Sequence, residues 1–376
     1  MLNSQTIHDL NKAFDASPEG FLVVDSGRPT FAVLPYHAYQ TLRQGQGARK
    51  KNNQKILVTG GAGYIGSHTV KVLQDRGYEV VVLDNLSTGR REAVGNCKLI
   101  EADLLDGAAL EKIFREEKID AVVHFAASIE VEESMADPAR YFQNNVVGGL
   151  NLLDAMVEAG VPEIIFSSSA TVYAEPEHLP IREGNPCAPQ NPYGESKYIF
   201  ERILKSYSEI YGLRAVSLRY FNAAGAWPEE GLGFRLDDNT LLVPRVLNVA
   251  RGRAPEIEVF GQDYPTTDGT CIRDYVHVLD IASAHVAALE KLSDDSSYKV
   301  YNVGTGRGHS VLEVIDQAVE ITGRMIPMKV SPRRSGDLTQ SVADSSAFQS
   351  ATGWRPTHDL QSIIESAWQW HQNQTK

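Results

Sequence analysis

From Lys55 onward the chain alternates short apolar runs with longer stretches of helical periodicity. The runs are KILVTG (55–60), EVVVLD (79–84), KLIEAD (98–103), AVVHFA (121–126), EIIFSS (163–168) and RAVSLRYF (214–221). Runs this short and this continuously apolar suit strands covered on both faces, and helical spacers suit right-handed crossovers. The pattern predicts an α/β unit built on a Rossmann-type doubly wound parallel sheet. Beyond Phe221 the texture changes to loops rich in Gly, Pro and Asp with shorter helices, interrupted by IRDYVHVLDIASAHVAALEKL (272–292) and YNVGTG (301–306). That change predicts a smaller C-terminal α/β lobe, with the core mainly at 55–221 and the lobe mainly at 222–376 of one 55–376 unit.

Before Lys55 the polar, basic run QGQGARKKNNQ (44–54) has no apolar periodicity and reads as a linker. Residues 1–43 predict a small α+β appendage: a helix over Thr6 to Phe14, strands FLVV (21–24) and TFAVL (30–34) about an Asp25-Ser26-Gly27 turn, and a short helix after Pro35. The segment EGFLVVDSGRPTFAVLPYHAYQTLRQ is similar to a Phd/YefM antitoxin-like module. A core that small is marginal alone, so the appendage is expected to pair with a copy of itself or to dock on the main body. The alternative is an extension without a specific role.

Composition narrows the classes. The 376 residues are 42% hydrophobic, 22% charged and 8% aromatic, ordinary for a globular chain. A formal charge of −12 argues against nucleic acid as the main partner. Cys97, Cys187 and Cys271 lie far apart, form no metal-ligand spacing, and fit a reducing cytoplasm. No secretory start and no run of eighteen apolar residues are seen, so neither export nor a membrane partner is expected.

Candidate chemistry begins at GGAGYIGSH (60–68), directly after the first strand. Gly60 suits a tight turn, Gly63 lets backbone approach a pyrophosphate, and Gly66 lets helix pack on strand. The second strand ends in Asp84, whose carboxylate suits an adenosine ribose diol and would repel a 2′-phosphate, which favours NAD over NADP. The bland alternative is that Asp84 caps the turn DNLSTG. Asp103-Leu104, at the end of the third strand, lies where an adenine ring would be held.

Residues 193–197 read Tyr-Gly-Glu-Ser-Lys, placing Tyr193 and Lys197 on one helical face. A phenol with a pKa of about 10 is a poor base near neutrality, and an adjacent ammonium together with a positive nicotinamide favours phenolate. The alternative is a surface Tyr/Lys pair. FSSSATVY (166–173) puts small hydroxyls where an α/β sheet opens to ligand: Ser169 is the candidate for holding a reacting oxygen, Ser167 and Ser168 for satisfying backbone or cofactor groups, and Tyr173 for packing or chemistry.

The glycine motif, DNLSTG, HFAA (124–127), NNVVG (144–148), SSSATVY, NPYGESK, LRYFNAAGA (218–226), DYPTTDGTCIRDYVHV (263–278) and PRRSGD (332–337) occur in one order over about residues 55 to 370. In this order the chain resembles the extended short-chain dehydrogenases/reductases, and within them the UDP-glucose 4-epimerases. The resemblance implies NAD contacts from Tyr64, Ile65, Asp84, Asn85, Asp103, Leu104, Phe125, Asn144, Lys197 and Phe221. It makes Ser169 and Tyr193 the catalytic hydroxyls, with Lys197 beside them. It assigns Asn222, Arg273, Arg334 and Asp337 to the UDP portion, which suits guanidinium forks on a diphosphate and a carboxylate on a diol. Without the resemblance, Arg273 is equally an ion-pair partner of Asp274. A homodimer through helices flanking the sheet is implied as well.

Three positions depart from the family pattern. Ile129 stands where many members carry a cofactor-contacting lysine, and Leu241 where an Asn or His is common. Ser341 replaces a bulky tyrosine of strictly glucose/galactose-specific members, which leaves room for N-acetylated UDP-hexosamines. The implied reaction is proton removal from the sugar 4-hydroxyl by Tyr193, hydride transfer from C4 to NAD, rotation of the 4-keto sugar, and return of the hydride to its other face. Sugar-nucleotide 4,6-dehydratases and UDP-glucuronate decarboxylases share the fold. Dehydratases usually place an Asp-Glu pair where Ala170 and Thr171 follow Ser169 here. A UDP-xylose/arabinose 4-epimerase uses identical C4 chemistry, and a non-catalytic NAD-sensing regulator is the alternative of another class. No metal is expected.

Overall fold

The computed structural model describes residues 21–25, 28–33, 54–234, 240–291, 298–334 and 336–374. Two compact units result, Met1–Asn52 and Asn53–Lys376. In the first, Phe21–Asp25 pairs antiparallel with Arg28–Val33, with an irregularity between Val23 and Val24. The helices expected around this hairpin, and the linker through residue 53, lie outside the described residues.

The second unit is organised by a seven-stranded sheet in which every pairing is parallel. Its spatial order is Lys299–Val303, Arg214–Tyr220, Glu163–Ser169, Ala121–His124, Lys55–Thr59, Glu79–Asp84, Lys98–Glu101. Strand order reverses between the first strand of the unit, Lys55–Thr59, and the fourth, Ala121–His124. The doubly wound sheet expected from the alternation is present, and its switch point opens a crevice outside the carboxyl ends of those strands. Period-two alternation divides the strand residues between two cores. Ile56, Val58, Val80, Val82 and Leu218 pack with Val70 and Leu73 of helix Tyr64–Asp75 and with Ala284 and Leu289 of helix Val278–Lys291. Leu57, Val81, Val122 and Phe166 pack on the other face with Leu110, Leu152, Met156, Phe200 and Leu204. Each fully buried aliphatic or aromatic side chain here contributes about 1.5–3 kcal/mol relative to exposure.

One stretch changes place relative to expectation. YNVGTG was grouped with the C-terminal lobe, yet Lys299–Val303 pairs with Val216–Tyr220 and becomes the seventh strand of the main sheet. Helix Val278–Lys291 likewise packs on the sheet. The chain therefore leaves the core after Tyr220, returns, and leaves again after Val303. The lobe itself is built from short strands: Ile272–His277 pairs with Gly308–Ser310, Gln340–Ser341 and Asn222–Ala224, and Ile257–Phe260 pairs with Met328–Ser331. Its own core gathers Phe234, Val246, Leu247, Ile315, Ile363 and Trp370.

Candidate active site

The candidate residues collect at the carboxyl edge of the large sheet. Gly60, Asp84, Asp103, Phe125, Ser169 and Phe221 each end or follow one of its strands. Gly60 has φ +70, and a Cβ there would lie 2.5 Å from the Ala126 amide nitrogen, so the turn and the adjacent strand end require glycine. A Cβ on Gly66 would lie 2.2 Å from the Gly60 carbonyl oxygen, so helix Tyr64–Asp75 reaches the loop only without one. Gly63 is that helix's N-cap, supplies no side-chain cap, and is followed by no acidic residue in the first turn. A helix N-terminus with no acidic side chain in its own first turn is the kind that attracts a phosphate group. This loop fits the pyrophosphate of a dinucleotide.

Asp84 is buried and does structural work: Oδ2 accepts from the Ala62 amide at 2.9 Å and Oδ1 from the Leu86 amide at 2.8 Å. The turn-capping alternative is thus realised. Each carboxylate oxygen has a second lone pair, so acceptance from a ribose diol is compatible with it. Burial raises the Asp84 carboxyl and the two amides oppose it. Asn85 donates to Asp103 Oδ2 at 2.8 Å, and Asn151 donates to the Leu104 carbonyl at 2.9 Å, which fixes the neighbouring strand end. Tyr64 sends its hydroxyl to the Gly225 carbonyl at 2.5 Å, while Ile65 and Phe221 border one small apolar cluster. Phe125 stands 4.5 Å, ring to ring, from buried His285.

Asn144 lies in a π-helical turn, Gln143–Val147, and donates to Asn145 Oδ1 at 2.9 Å. Such a turn inside a helical run often marks a functional position. Asn145 was not singled out from sequence, yet it accepts from the Ser128 amide and donates to the Ser128 carbonyl and to Ser196 Oγ. It thereby ties the HFAA loop to the helix that carries Tyr193.

That helix is Pro192–Tyr211, capped by the Asn191 side chain on the Gly194 amide. Tyr193 and Lys197 are both buried on it, which removes the surface-pair alternative. Lys197 Nζ donates to the Ser167 carbonyl at 2.8 Å, 4.9 Å from the Phe166 ring centroid and 5.9 Å from that of Tyr193. Ser169 Oγ accepts from Thr171 N at 3.2 Å and Thr171 Oγ1 at 2.9 Å. Burial pushes the Tyr193 phenol up to about 12; Ser169 works to lower it, and Glu130 to raise it. Burial also brings the Lys197 ammonium down to about 7, against the pull of Glu201. For Tyr193 burial outweighs the lowering by the Ser169 hydroxyl, and for Lys197 it outweighs the raising by Glu201.

The remaining hydroxyls bond neighbouring side chains. Ser167 Oγ and the Tyr220 hydroxyl are 2.7 Å apart, Ser168 donates to Glu201 Oε1 at 2.5 Å, and Tyr173 donates to Asn302 Oδ1 at 2.7 Å. Ser167 and Ser168 were expected to serve backbone or cofactor groups, but their hydroxyls bond side chains.

In the lobe, Arg273 does not pair with Asp274. Its Nη2 lies 3.6 Å from Asp337 Oδ1, whereas Asp274 is fully buried and accepts from Thr305, Gly306 and Ala343. Ser341 faces Arg273 in the parallel ladder and Asn222 faces Tyr275 two residues on. Arg334 lays its guanidinium 3.9 Å from the Phe260 ring centroid, with Nε 3.7 Å from Glu132. Arg273 and Ser341 thus sit on one small sheet, with Asp337 in the loop leading into strand Gln340–Ser341 and joined to Arg334 through a backbone bond. Ile129 is exposed, and Leu241 sits at the N-cap of helix Leu242–Ala250. No group of three or more His, Cys, Asp or Glu suited to a metal occurs among the described residues.

Residues 56–304 match the pattern of the NAD dependent epimerase/dehydratase family. The UDP-glucose 4-epimerase of Lacticaseibacillus casei is 47% identical over 320 residues, 85% of this chain and 97% of that protein. The crystal structure of UDP-glucose 4-epimerase from Bifidobacterium longum in complex with NAD+ and UDP superposes with a TM-score of 0.81 at 40% identity, over 86% of this chain and 99% of that one. The UDP-Glc/GlcNAc 4-epimerase of Campylobacter jejuni gives 0.76 at 43%, over 85% and 100%.

Proposed function

The chain belongs to the NAD dependent epimerase/dehydratase family, and we infer that within it the chain is an isomerase interconverting UDP-glucose and UDP-galactose through a transient 4-keto sugar, with NAD as cofactor. The observation that carries this reading is the meeting of Ser169, Tyr193 and Lys197 at the carboxyl edge of a sheet whose glycine loop opens a helix with no acidic residue in its first turn, a setting suited to pyrophosphate. NAD, when bound, supplies a reversible hydride acceptor for C4 and, in its oxidised form, a positive charge that favours phenolate. Tyr193 takes the proton of the 4-hydroxyl and returns it, and Ser169 holds the oxygen that loses it. Lys197, as the ammonium, carries the charge that steadies the phenolate. On the nucleotide side, Gly60, Gly63, Tyr64, Ile65, Gly66, Asp84, Asn85, Asp103, Leu104, Phe125, Asn144 and Phe221 form the NAD crevice. Asn222, Arg273, Arg334 and Asp337 anchor UDP, so that the grip falls on the nucleotide and the hexose is free to turn.

Ser341 is a small side chain beside Arg273, and acceptance of N-acetylated UDP-hexosamines is part of the proposal, supported by the resemblance to the Campylobacter enzyme. A homodimer through the sheet-flanking helices is supported by exposed Val147, Ile210 and Tyr211 at their ends, and light scattering tests it. A cytoplasmic location agrees with free Cys97, Cys187 and Cys271; no described helix is long and apolar enough to cross a membrane. The deciding assay incubates purified protein, without added cofactor, with UDP-galactose, UDP-N-acetylgalactosamine and UDP-arabinose. Turnover of the first is expected, and turnover of none leaves a nucleotide binder.

A further inference from the structure

We propose that Glu201 is a positioning residue for Lys197: held by Arg219 and Ser168 one helical turn beyond Lys197, it sets a fixed negative charge beside the ammonium and ties the strand carrying Ser169 to the helix carrying Tyr193. The proposal deepens the reading of Tyr193 and Lys197 given above and depends on it.

Tyr193, Lys197 and Glu201 fall at i, i+4 and i+8, so all three line the buried face of helix Pro192–Tyr211. Glu201 is 3% exposed, and taking a carboxylate that far from water costs several kcal/mol unless it is paired. Arg219, at the end of the sixth strand, supplies the pair through Nε to Oε1 at 2.9 Å and Nη2 to Oε2 at 2.5 Å. Its guanidinium also covers the Tyr173 ring at 4.8 Å. Ser168, the neighbour of Ser169, adds the third bond to Glu201. Three elements are thus locked by one carboxylate: the Ser169 strand, the Arg219 strand and the catalytic helix. An apolar cluster of the same volume would be as stable or more so, so stability alone does not account for charges here.

The surroundings of Lys197 supply the account. Its own helix contributes Tyr193 and Glu201, the Glu163–Ser169 strand the Phe166 ring and the Ser167 carbonyl, Ala121–His124 contributes His124, and Val278–Lys291 contributes His285. Burial holds both histidines neutral, lowering them to about 3 and about 4. Glu201 is the group that works against desolvation of the ammonium.

The test uses the holoenzyme and begins with wild-type turnover of UDP-galactose, whose absence would sink the functional reading rather than this one. With turnover established, Glu201→Gln moves the alkaline limb of kcat/KM down by about 1 pH unit. Arg219→Gln, which leaves Glu201 uncompensated, moves it up, and Glu201→Asp keeps it in place with a lower kcat. Breaking a buried pair costs about 3–5 kcal/mol, so Glu201→Gln/Arg219→Gln, which leaves no unpaired charge, accompanies the single variants and also shows a lowered limb. A carbon-13 NMR titration of the Lys197 side chain, assigned with Lys197→Met, reads the same displacement without turnover. A limb and a titration that stay put in folded Glu201→Gln or the double variant, with rates falling equally at every pH, would reduce Glu201 to a structural residue and overturn the proposal.

Discussion

The sheet edge proposed to be catalytic and the lobe face proposed to anchor the nucleotide hold their polar residues in opposite ways. At the edge, Tyr193, Lys197, Glu201 and Arg219 are all nearly inaccessible and each is fixed by a neighbour on a long strand or helix. On the lobe, Arg273 and Asp337 keep 15% and 32% of their side chains exposed and stand 3.6 Å apart, one on a strand of six residues and the other in the loop before a strand of two. The first region accepts unfavourable burial, which the proposed chemistry would use to fix a proton's position. The second leaves its charges partly exposed and loosely paired, as the proposed grip on a nucleotide requires.

The sharpest challenge to that contrast is Tyr193→Phe, which removes one oxygen from the edge. The expected loss in kcat is about 10²–10⁴-fold with an unchanged unfolding midpoint, read from initial rates and a thermal melt. Lys197→Met comes next and separates function from stability. Lysine stays protonated to about 10.5 in the unfolded chain and only to about 7 in the fold, so the cost of burying the ammonium is full below pH 7 and fades as pH rises from 7 to 10.5. The variant is expected to be inactive yet more stable by about 1–3 kcal/mol at pH 6, the gap closing by pH 10, as denaturant titrations at both pH values would record. A gap that widens with pH would contradict the burial of a charge.

Arg334→Met makes the opposite measurement in the lobe. Losing a charge-assisted hydrogen bond of about 1.5–3 kcal/mol is expected to raise KM for UDP-galactose at least tenfold while kcat changes little and stability does not rise. A fall in kcat with KM unchanged would assign Arg334 to the chemistry. Ser341→Tyr has the smallest expected effect: a few-fold loss in turnover of UDP-N-acetylgalactosamine relative to UDP-galactose, compared by kcat/KM for the two substrates.

How much of this was legible in the sequence follows from the same contrast. Local signals carried the sheet edge: six apolar runs became strands within a residue or two, and the glycine spacing and the Tyr-x-x-x-Lys spacing report geometry within a single turn. Long-range pairings were not written locally. Lys299–Val303 sits between lobe-type loops, and nothing in five residues announces that they pair with a strand eighty positions earlier. Arg219 inside an apolar run reads as an outward-facing strand residue until Glu201 is found beside it. Asp274 likewise looked like a partner for the adjacent arginine, while its ladder turns it toward Thr305 and Gly306. The spacing Tyr193, Lys197, Glu201 was the one available hint of the buried pair, and it becomes specific only once the helix face is known.

Because the polypeptide weaves out of the sheet, back into it and out again, the two halves cannot be dissected by a single cut. A fragment stopping at residue 221 would lose the seventh strand and leave the backbone groups of Arg214–Tyr220 as a bare edge flanked by Val216 and Leu218, a surface that invites aggregation. Shuffling this lobe onto another member's scaffold therefore calls for three splice points, after Tyr220, after His277 and after Val303, so that helix Val278–Lys291 and strand Lys299–Val303 travel with the sheet.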